Sequence, residues 1–221
     1  MIPLRCDTPQ RRPSIVTPLL LVTCLAVYVV QGRWAPVSRG FVPLEFTHAL
    51  FHPGMDTLRM CASCAAAFFM HANLVHLVSN MWYLWLFGNA VENRLGAFSF
   101  IGTYLLCGGI SMIAQALYAP LSTIPIVGAS GAIAGVMGLH FVMLPFSRIL
   151  VWVPPIFFVR VPAFVFLLFW FYVQYASAGN GSEVRVAWWA HIGGFIAGLV
   201  MGVSLRVREA RESGRRRSRA R

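Results

Sequence analysis

Long apolar runs, separated by short polar segments, dominate the pattern of this chain. Six runs approach or reach the ~20 residues that a membrane-spanning helix needs; they cover 15–30, 73–91, 97–118, 130–146, 161–176 and 187–205. The segment 31–60 mixes proline, glycine, histidine and aromatic residues, which is typical of a structured loop at the membrane interface. We therefore predict an all-α polytopic membrane protein, a six-helix bundle with a structured interfacial first loop.

Composition strengthens this interpretation. Hydrophobic residues make up 58% of the chain and charged residues 11%, with a mean hydropathy of +0.69. Soluble domains are nearer half apolar and a quarter charged. The net charge of +11 does not indicate nucleic-acid binding, because the arginines cluster in 206–221 and beside the apolar runs. That distribution is typical of a protein that orients itself in a bilayer.

The arginines also predict domain organisation and orientation. We expect a cytoplasmic leader (1–13), a membrane domain (14–206) and a basic cytoplasmic tail (207–221). With six spans, fourteen arginines lie on the side of both termini and four on the other side. The positive-inside rule then places both termini in the cytoplasm. The short termini and compact form lead us to expect a bacterial inner membrane.

Polar side chains within the spans mark a candidate site, since such groups are costly in a bilayer. His76 and Asn80 are four residues apart and share one helix face. At ~1.5 Å per residue, His76, Ser130 and His191 each lie ~21–24 Å from the cytoplasmic end of their span. Three helices therefore bring polar groups to a common depth in the outer part of the membrane.

Glycine stripes predict which of these helices touch. Gly194 and Gly198 follow His191 on one face of the sixth span, and Gly131 follows Ser130 in the fourth. Small residues let membrane helices pack closely. If the stripes meet, Ser130 comes near His191, and imidazole is the usual base for a serine nucleophile. Each feature alone is more often ordinary packing; their agreement favours a catalytic pair.

Four segments carry a resemblance to a known family. They are 71–80 (HANLVHLVSN), 92–96 (ENRLG), 128–131 (GASG) and 190–198 (AHIGGFIAG). In this order, each on the corresponding span, they resemble the motifs of the rhomboid intramembrane serine proteases. The resemblance runs over nearly the whole chain.

The resemblance implies specific roles. Ser130 would be the nucleophile and His191 the general base in a dyad without an acidic third member. An oxyanion hole would be formed by His76, Asn80 and the Ser130 backbone N–H. His71, Gly128 and Gly131 would support the site, while Glu92, Arg94, Gly194 and Gly198 would be structural. The implied reaction is hydrolysis of peptide bonds in or near transmembrane segments, with no cofactor, metal or nucleic acid as partner.

Three alternatives remain open from the sequence. Cys61, Cys64, His71 and His76 read as C-x2-C followed by H-x4-H, although the gap between the pairs is shorter than in usual zinc sites. A catalytically silent, client-binding relative would typically lack the serine or the histidine. A small transporter would normally show an inverted repeat, and none is evident. No role is predicted for His140.

Overall fold

The computed structural model describes residues 1–8, 12–34, 39–52, 54–155, 157–179 and 186–219, and they are mostly helical. The helices are α1 (Val16–Trp34), α2 (Pro43–Phe51), α3 (Met55–Ala67), α4 (Leu74–Tyr83), α5 (Asn89–Leu95), α6 (Ala97–Tyr118), α7 (Ser130–Met143), α8 (Ala163–Gly179) and α9 (Trp188–Arg219). A π-helical turn, Leu84–Gly88, joins α4 to α5. The strands are β1 (Ile2–Asp7), β2 (Arg148–Val153) and β3 (Phe157–Pro162).

The central helix is α7, which begins at Ser130. All its residues from Gly131 to His140 are buried, and α6, α8, α9 and the π-helical turn pack around it. Small residues allow this close enclosure, since a helix surrounded on all sides has little room for side chains. The predicted fourth span is thus the core of the molecule, which places its first residue, Ser130, among the other helices.

The outer surfaces of the surrounding helices are apolar. More than half of each side chain is exposed at Leu19, Val75, Leu117 and Val200. Such apolar side chains are more stable in a protein core or a bilayer than in water. Among the described residues, two helices, Ala97–Tyr118 and Trp188–Arg216, are long and apolar enough to cross a membrane by themselves, and three shorter apolar helices accompany them. The count of six spans therefore stays a prediction, because helix length alone does not establish it.

The expectation of an all-α fold is wrong in one respect. The order β1-β2-β3 forms an antiparallel sheet, in which Ile2 pairs with Trp152 and Arg148 with Pro162. The segments 148–153 and 157–162 are rich in β-branched and aromatic residues, which favour strands, and Pro154-Pro155 lies in the turn between them. The predicted leader is consequently a strand over Ile2–Asp7, held by backbone pairing to a hairpin.

His140, which had no predicted role, contacts residues that hold this sheet against the helices. Its ring is fully buried and packs edge-on against Phe87, with ring centroids 5.2 Å apart. Its Nε2 lies 2.9 Å from the Ser147 hydroxyl and 3.8 Å from the sulfur of Cys6 on β1. His140 thereby links the central helix to the N-terminal strand.

The first loop is structured in its described residues, 39–52 and 54–60, and these support the chain just before Ser130. Backbone hydrogen bonds join Phe41 and Ile126 in both directions, at 2.9 and 2.8 Å. The N–H of Gly128 donates to the carbonyl of Ala67 at 2.8 Å. The segment 119–129 is therefore attached to both α2 and α3 regions, which fixes where α7 begins.

Candidate active site

Ser130 and His191 lie in direct hydrogen-bond contact. The distance from Ser130 Oγ to His191 Nε2 is 2.8 Å, and both residues are partly buried. Ser130 is the first residue of α7, and His191 lies in the first turn of α9. Two helix beginnings therefore meet, with a hydroxyl on one and an imidazole on the other. This geometry allows the ring to take the hydroxyl proton.

Close packing of α7 on α9 sets this distance. A Cβ atom added at Gly194 would overlap the carbonyl oxygen of Gly131, and one added at Gly198 would overlap that of Gly135. The helices therefore touch backbone to backbone, which side chains larger than hydrogen would prevent. The predicted glycine stripes of α7 and α9 therefore meet. If either helix slid along the other, Ser130 would move away from His191.

The start of α9 is capped by a neighbouring helix. Gln115 on α6 is buried, and its Oε1 accepts the backbone N–H of Ala190 at 3.2 Å. The first N–H groups of a helix have no intrahelical acceptor, so Gln115 satisfies one of them beside His191. Trp170 and Trp188 flank the imidazole, with ring centroids 6.2 and 6.0 Å away. These contacts restrict the ring.

The second ring nitrogen of His191 also has a partner. Its Nδ1 lies 2.8 Å from Oε1 of Gln174 on α8. Gln174 is 6% exposed and was not predicted as a site residue. The sequence did contain a signal, because this amide lies in an otherwise apolar and aromatic run. The same run also contributes Phe166 and Leu167 to the buried side of α8.

His76 and Asn80 lie beside the residues that precede Ser130. A Cβ atom on Gly128 would be 2.7 Å from the His76 ring and 3.4 Å from Asn80 Nδ2. Gly128 also has φ of +120°, which L side chains rarely adopt. Asn80 is buried, and its Nδ2 has no hydrogen-bond partner among the described residues. An unpaired amide donor therefore lies beside Gly128, two residues before Ser130.

His71 lies behind His76. It is fully buried, and the two imidazole centroids are 5.2 Å apart in an edge-on arrangement. The buried side chain of Gln31 holds its backbone at both groups: Oε1 accepts the His71 N–H at 3.0 Å, and Nε2 donates to the His71 carbonyl. Gln31, at the end of the first span, was also missed from the sequence.

Glu92 and Arg94 lie away from this site. Glu92 accepts the backbone N–H groups of Ile15, Val16 and Thr17 at 2.7–2.8 Å and so caps α1. Arg94 forms a 2.6 Å ion pair with Glu209 near the end of α9. Glu92 and Arg94 therefore join the end of the second predicted span to α1 and α9.

The zinc alternative finds no support in the geometry. Cys61 and Cys64 are free thiols on α3. Burial, followed by the nearby Cys61, raises the pKa of Cys64 to about 11, which keeps it a thiol at neutral pH. In the described part of the chain, no three or more histidine, cysteine or acidic side chains are grouped to hold a metal.

The helices have an apolar exterior and meet around a Ser–His pair, which defines the class as a helical membrane protein with a polar site inside the bundle. Comparison with known proteins identifies the family. Residues 59–208 match the Rhomboid domain, so the chain belongs to the rhomboid family and is an integral membrane protein. This confirms the resemblance carried by the four motifs.

Curated relatives agree with this assignment. The chain is 32% identical over 139 residues to Rhomboid protein 1, mitochondrial, of Saccharomyces cerevisiae; the match covers 61% of this chain and 39% of that protein. It is 31% identical over 105 residues to the mouse Presenilin-associated rhomboid-like protein, mitochondrial, covering 44% and 26%. It is 38% identical over 73 residues to Rhomboid-like protein 11, chloroplastic, of Arabidopsis thaliana, covering 33% and 26%. The chain thus matches less than half the length of each relative.

Proposed function

We propose that this protein is an intramembrane serine endopeptidase that hydrolyses peptide bonds in or near transmembrane segments of other membrane proteins. The observation that carries the proposal is the 2.8 Å contact between Ser130 Oγ and His191 Nε2. A serine hydroxyl is a weak nucleophile until such a base accepts its proton. A silent, client-binding relative would have no need for this pair.

The first chemical step forms an acyl-enzyme. Ser130 Oγ attacks the scissile carbonyl carbon while its proton moves to His191 Nε2. The carbonyl oxygen becomes an oxyanion, which the Ser130 N–H, Asn80 Nδ2 and His76 would stabilise; such donors are worth roughly 3–4 kcal/mol each. His191 then gives its proton to the leaving amine, and the carbon–nitrogen bond breaks.

Hydrolysis of the acyl-enzyme uses the same groups. Water gives a proton to His191 Nε2 as its oxygen attacks the ester carbonyl, and the Ser130 oxygen leaves with that proton. The step needs water at the site, which agrees with a depth near the outer end of the spans. The substrate is a membrane helix whose backbone unwinds enough to reach Ser130.

Membrane placement follows the arginine distribution. We infer that both termini face the cytoplasm, as the positive-inside rule predicts. The curated relatives are named as mitochondrial or chloroplastic, so they do not support the expected placement in a bacterial membrane.

The test is cleavage of a fluorescent transmembrane reporter by the purified protein in liposomes, beside Ser130→Ala and His191→Ala. We expect cleavage by the wild type only, reduced at least ~10³-fold in each variant, and unchanged by a metal chelator. Equal cleavage by all three proteins would mean that another group acts. Binding of the reporter by the wild type without any cleavage would favour the client-binding alternative.

A further inference from the structure

The fifth predicted span, 161–176, contains a single amide side chain, Gln174. Burying an amide in apolar surroundings costs free energy unless hydrogen bonds replace those of water. Gln174 is 6% exposed and lies on α8, the helix that faces the start of α9. Its position inside the bundle therefore requires partners for both ends of the amide.

Both ends have a partner, and the two bonds fix the orientation of the amide. Nε2 donates to the backbone carbonyl of Trp170, one turn earlier on α8, at 3.5 Å. A carbonyl oxygen accepts only, so the NH₂ end must face it. Oε1 is then the atom that faces His191 Nδ1, at 2.8 Å.

This orientation determines the tautomer of His191. An amide oxygen has no proton to give, so Nδ1 must carry the proton that joins it to Gln174. In the neutral ring, Nε2 is then unprotonated, and its lone pair faces the Ser130 hydroxyl. The opposite tautomer would place a hydrogen on Nε2 and prevent it from acting as a base.

We propose that Gln174 is a positioning residue that holds His191 as the Nδ1–H tautomer and aims its Nε2 at Ser130. The inference rests on the proposed serine hydrolase chemistry and adds a neutral third member to the Ser–His pair. In serine proteases with a buried aspartate, that residue fixes the histidine in the same way. Gln174 does so here without a buried charge.

The contact persists through the reaction. When Nε2 takes the Ser130 proton, the ring becomes an imidazolium and keeps Nδ1–H, which still donates to Oε1. Hydrogen bonds to charged groups are stronger than neutral ones, so the bond tightens as charge develops. The flanking rings of Trp170 and Trp188 limit rotation but offer no acceptor. Gln174 therefore supplies the hydrogen-bond acceptor that fixes the tautomer, which ring packing alone cannot do.

The test compares Gln174→Leu with Gln174→Glu. Leucine removes the acceptor. A protonated glutamic acid keeps both contacts, since its carbonyl oxygen accepts from Nδ1 and its hydroxyl donates to the Trp170 carbonyl. Gln174→Met is a second acceptor-poor variant of similar length in case leucine prevents folding. Thr103→Val is the matched control, because Thr103 is a buried polar residue that bonds within its own helix, to the Ser99 carbonyl.

The first readout is the rate at which a fluorophosphonate probe labels Ser130, which does not require a docked transmembrane substrate. Ser130 Oγ bonds to phosphorus, its proton moves to His191 Nε2, and the phosphorus–fluorine bond breaks to release fluoride. We expect labelling to slow about 10- to 100-fold in Gln174→Leu. Gln174→Glu and Thr103→Val should label within about threefold of the wild type. Reporter kcat should fall in parallel in Gln174→Leu, with KM little changed.

The second readout is the ¹⁵N NMR signature of the His191 ring in histidine-labelled protein. We expect Nδ1 protonated in the wild type and in Gln174→Glu, and a shift toward protonated Nε2 in Gln174→Leu. An unchanged tautomer, or wild-type labelling by both acceptor-poor variants, would overturn the role of Gln174. If the wild type is not labelled at all, the hydrolase function fails, while the tautomer measurement still decides the role of Gln174.

Discussion

Both His191 and His71 at the candidate site are held by amide side chains from other helices. Gln174 contacts His191, Gln115 caps the turn that carries it, and Gln31 holds the backbone of His71. Amides serve this purpose well in a membrane, because they give and accept hydrogen bonds without the cost of a buried charge. The site is thus positioned by neutral polar contacts.

At Gly128, both the backbone conformation and the neighbouring His76 ring disfavour any residue larger than glycine. Gly128→Ala forces a side chain onto φ of +120° and places its Cβ 2.7 Å from the His76 ring. Backbone strain of this kind costs about 1–3 kcal/mol, and relief requires His76 or the chain before Ser130 to move. We expect reporter kcat to fall at least ~10-fold while the protein remains folded.

The control for this prediction is Gly54→Ala. Gly54 lies in the first loop, and a Cβ there would have open space around it. Cleavage by Gly54→Ala should match the wild type. Wild-type kcat in Gly128→Ala would show that neither the positive φ nor the His76 contact matters for the reaction.

The sequence predicted part of this arrangement. Ser130, His191, His76 and Asn80 were selected from depth, helix face and motif, and the structure brings them to one place. Gln174 was not selected, because its partner is a ring 17 positions along the chain on another helix. A lone amide in an apolar run signals a polar contact, but the run alone does not identify its partner.

At the scale of elements, close helix contacts set the geometry of the site. The contact between α7 and α9 depends on Gly135 and Gly198, whose backbones touch. In Gly198→Ala the added methyl overlaps the Gly135 carbonyl, and overpacking of this kind costs about 1–3 kcal/mol. We expect a lower thermal unfolding midpoint in detergent and slower reporter cleavage, because the helices must separate beneath Ser130 and His191.

Gly102→Ala provides a matched control for this prediction. Gly102 lies on α6, and a Cβ there meets no atom within 4 Å. The same substitution should leave stability unchanged or raise it by up to about 1 kcal/mol, since alanine is the better helix former. Equal unfolding midpoints for Gly198→Ala and the wild type would contradict the proposed close contact.

Helices were easier to predict than strands in this chain. The third span was placed at 97–118, and the structure has α6 at Ala97–Tyr118. The strands were not predicted, because they are short and Pro154-Pro155, which lies in their hairpin turn, interrupts the pattern between them. The pairing partner, Ile2–Asp7, lies more than 140 residues away, and local patterns carry little information about such a contact.

At the scale of the whole molecule, contacts between distant segments agree with the proposed topology. β1 pairs with β2, Glu92 caps the start of α1, and Arg94 pairs with Glu209. Each contact joins two segments separated by an even number of the predicted spans. Such segments must lie on the same side of the membrane. The arginine-rich side inferred from the sequence is therefore also the side on which these segments meet.

This topology predicts which positions are accessible from outside the cell or vesicle. Single cysteines at Leu121 and Ser218 can be compared in a background whose five native cysteines are replaced by alanine, once reporter cleavage is shown to persist. Both positions are exposed, Leu121 in the segment before α7 and Ser218 near the end of α9. In right-side-out vesicles, a membrane-impermeant maleimide should label Leu121→Cys directly. Ser218→Cys should be labelled only after the membrane is opened.

The two positions control for each other, because they differ in side but not in solvent exposure. Labelling of both positions without opening the membrane would place them on the same side. The chain would then cross the membrane an even number of times between Leu121 and Ser218, and not the three times predicted. The reverse pattern would keep six spans but invert the molecule. In that case the arginine-poor side, with Ser130 near it, would face the cytoplasm, and the positive-inside assignment of both termini would be wrong.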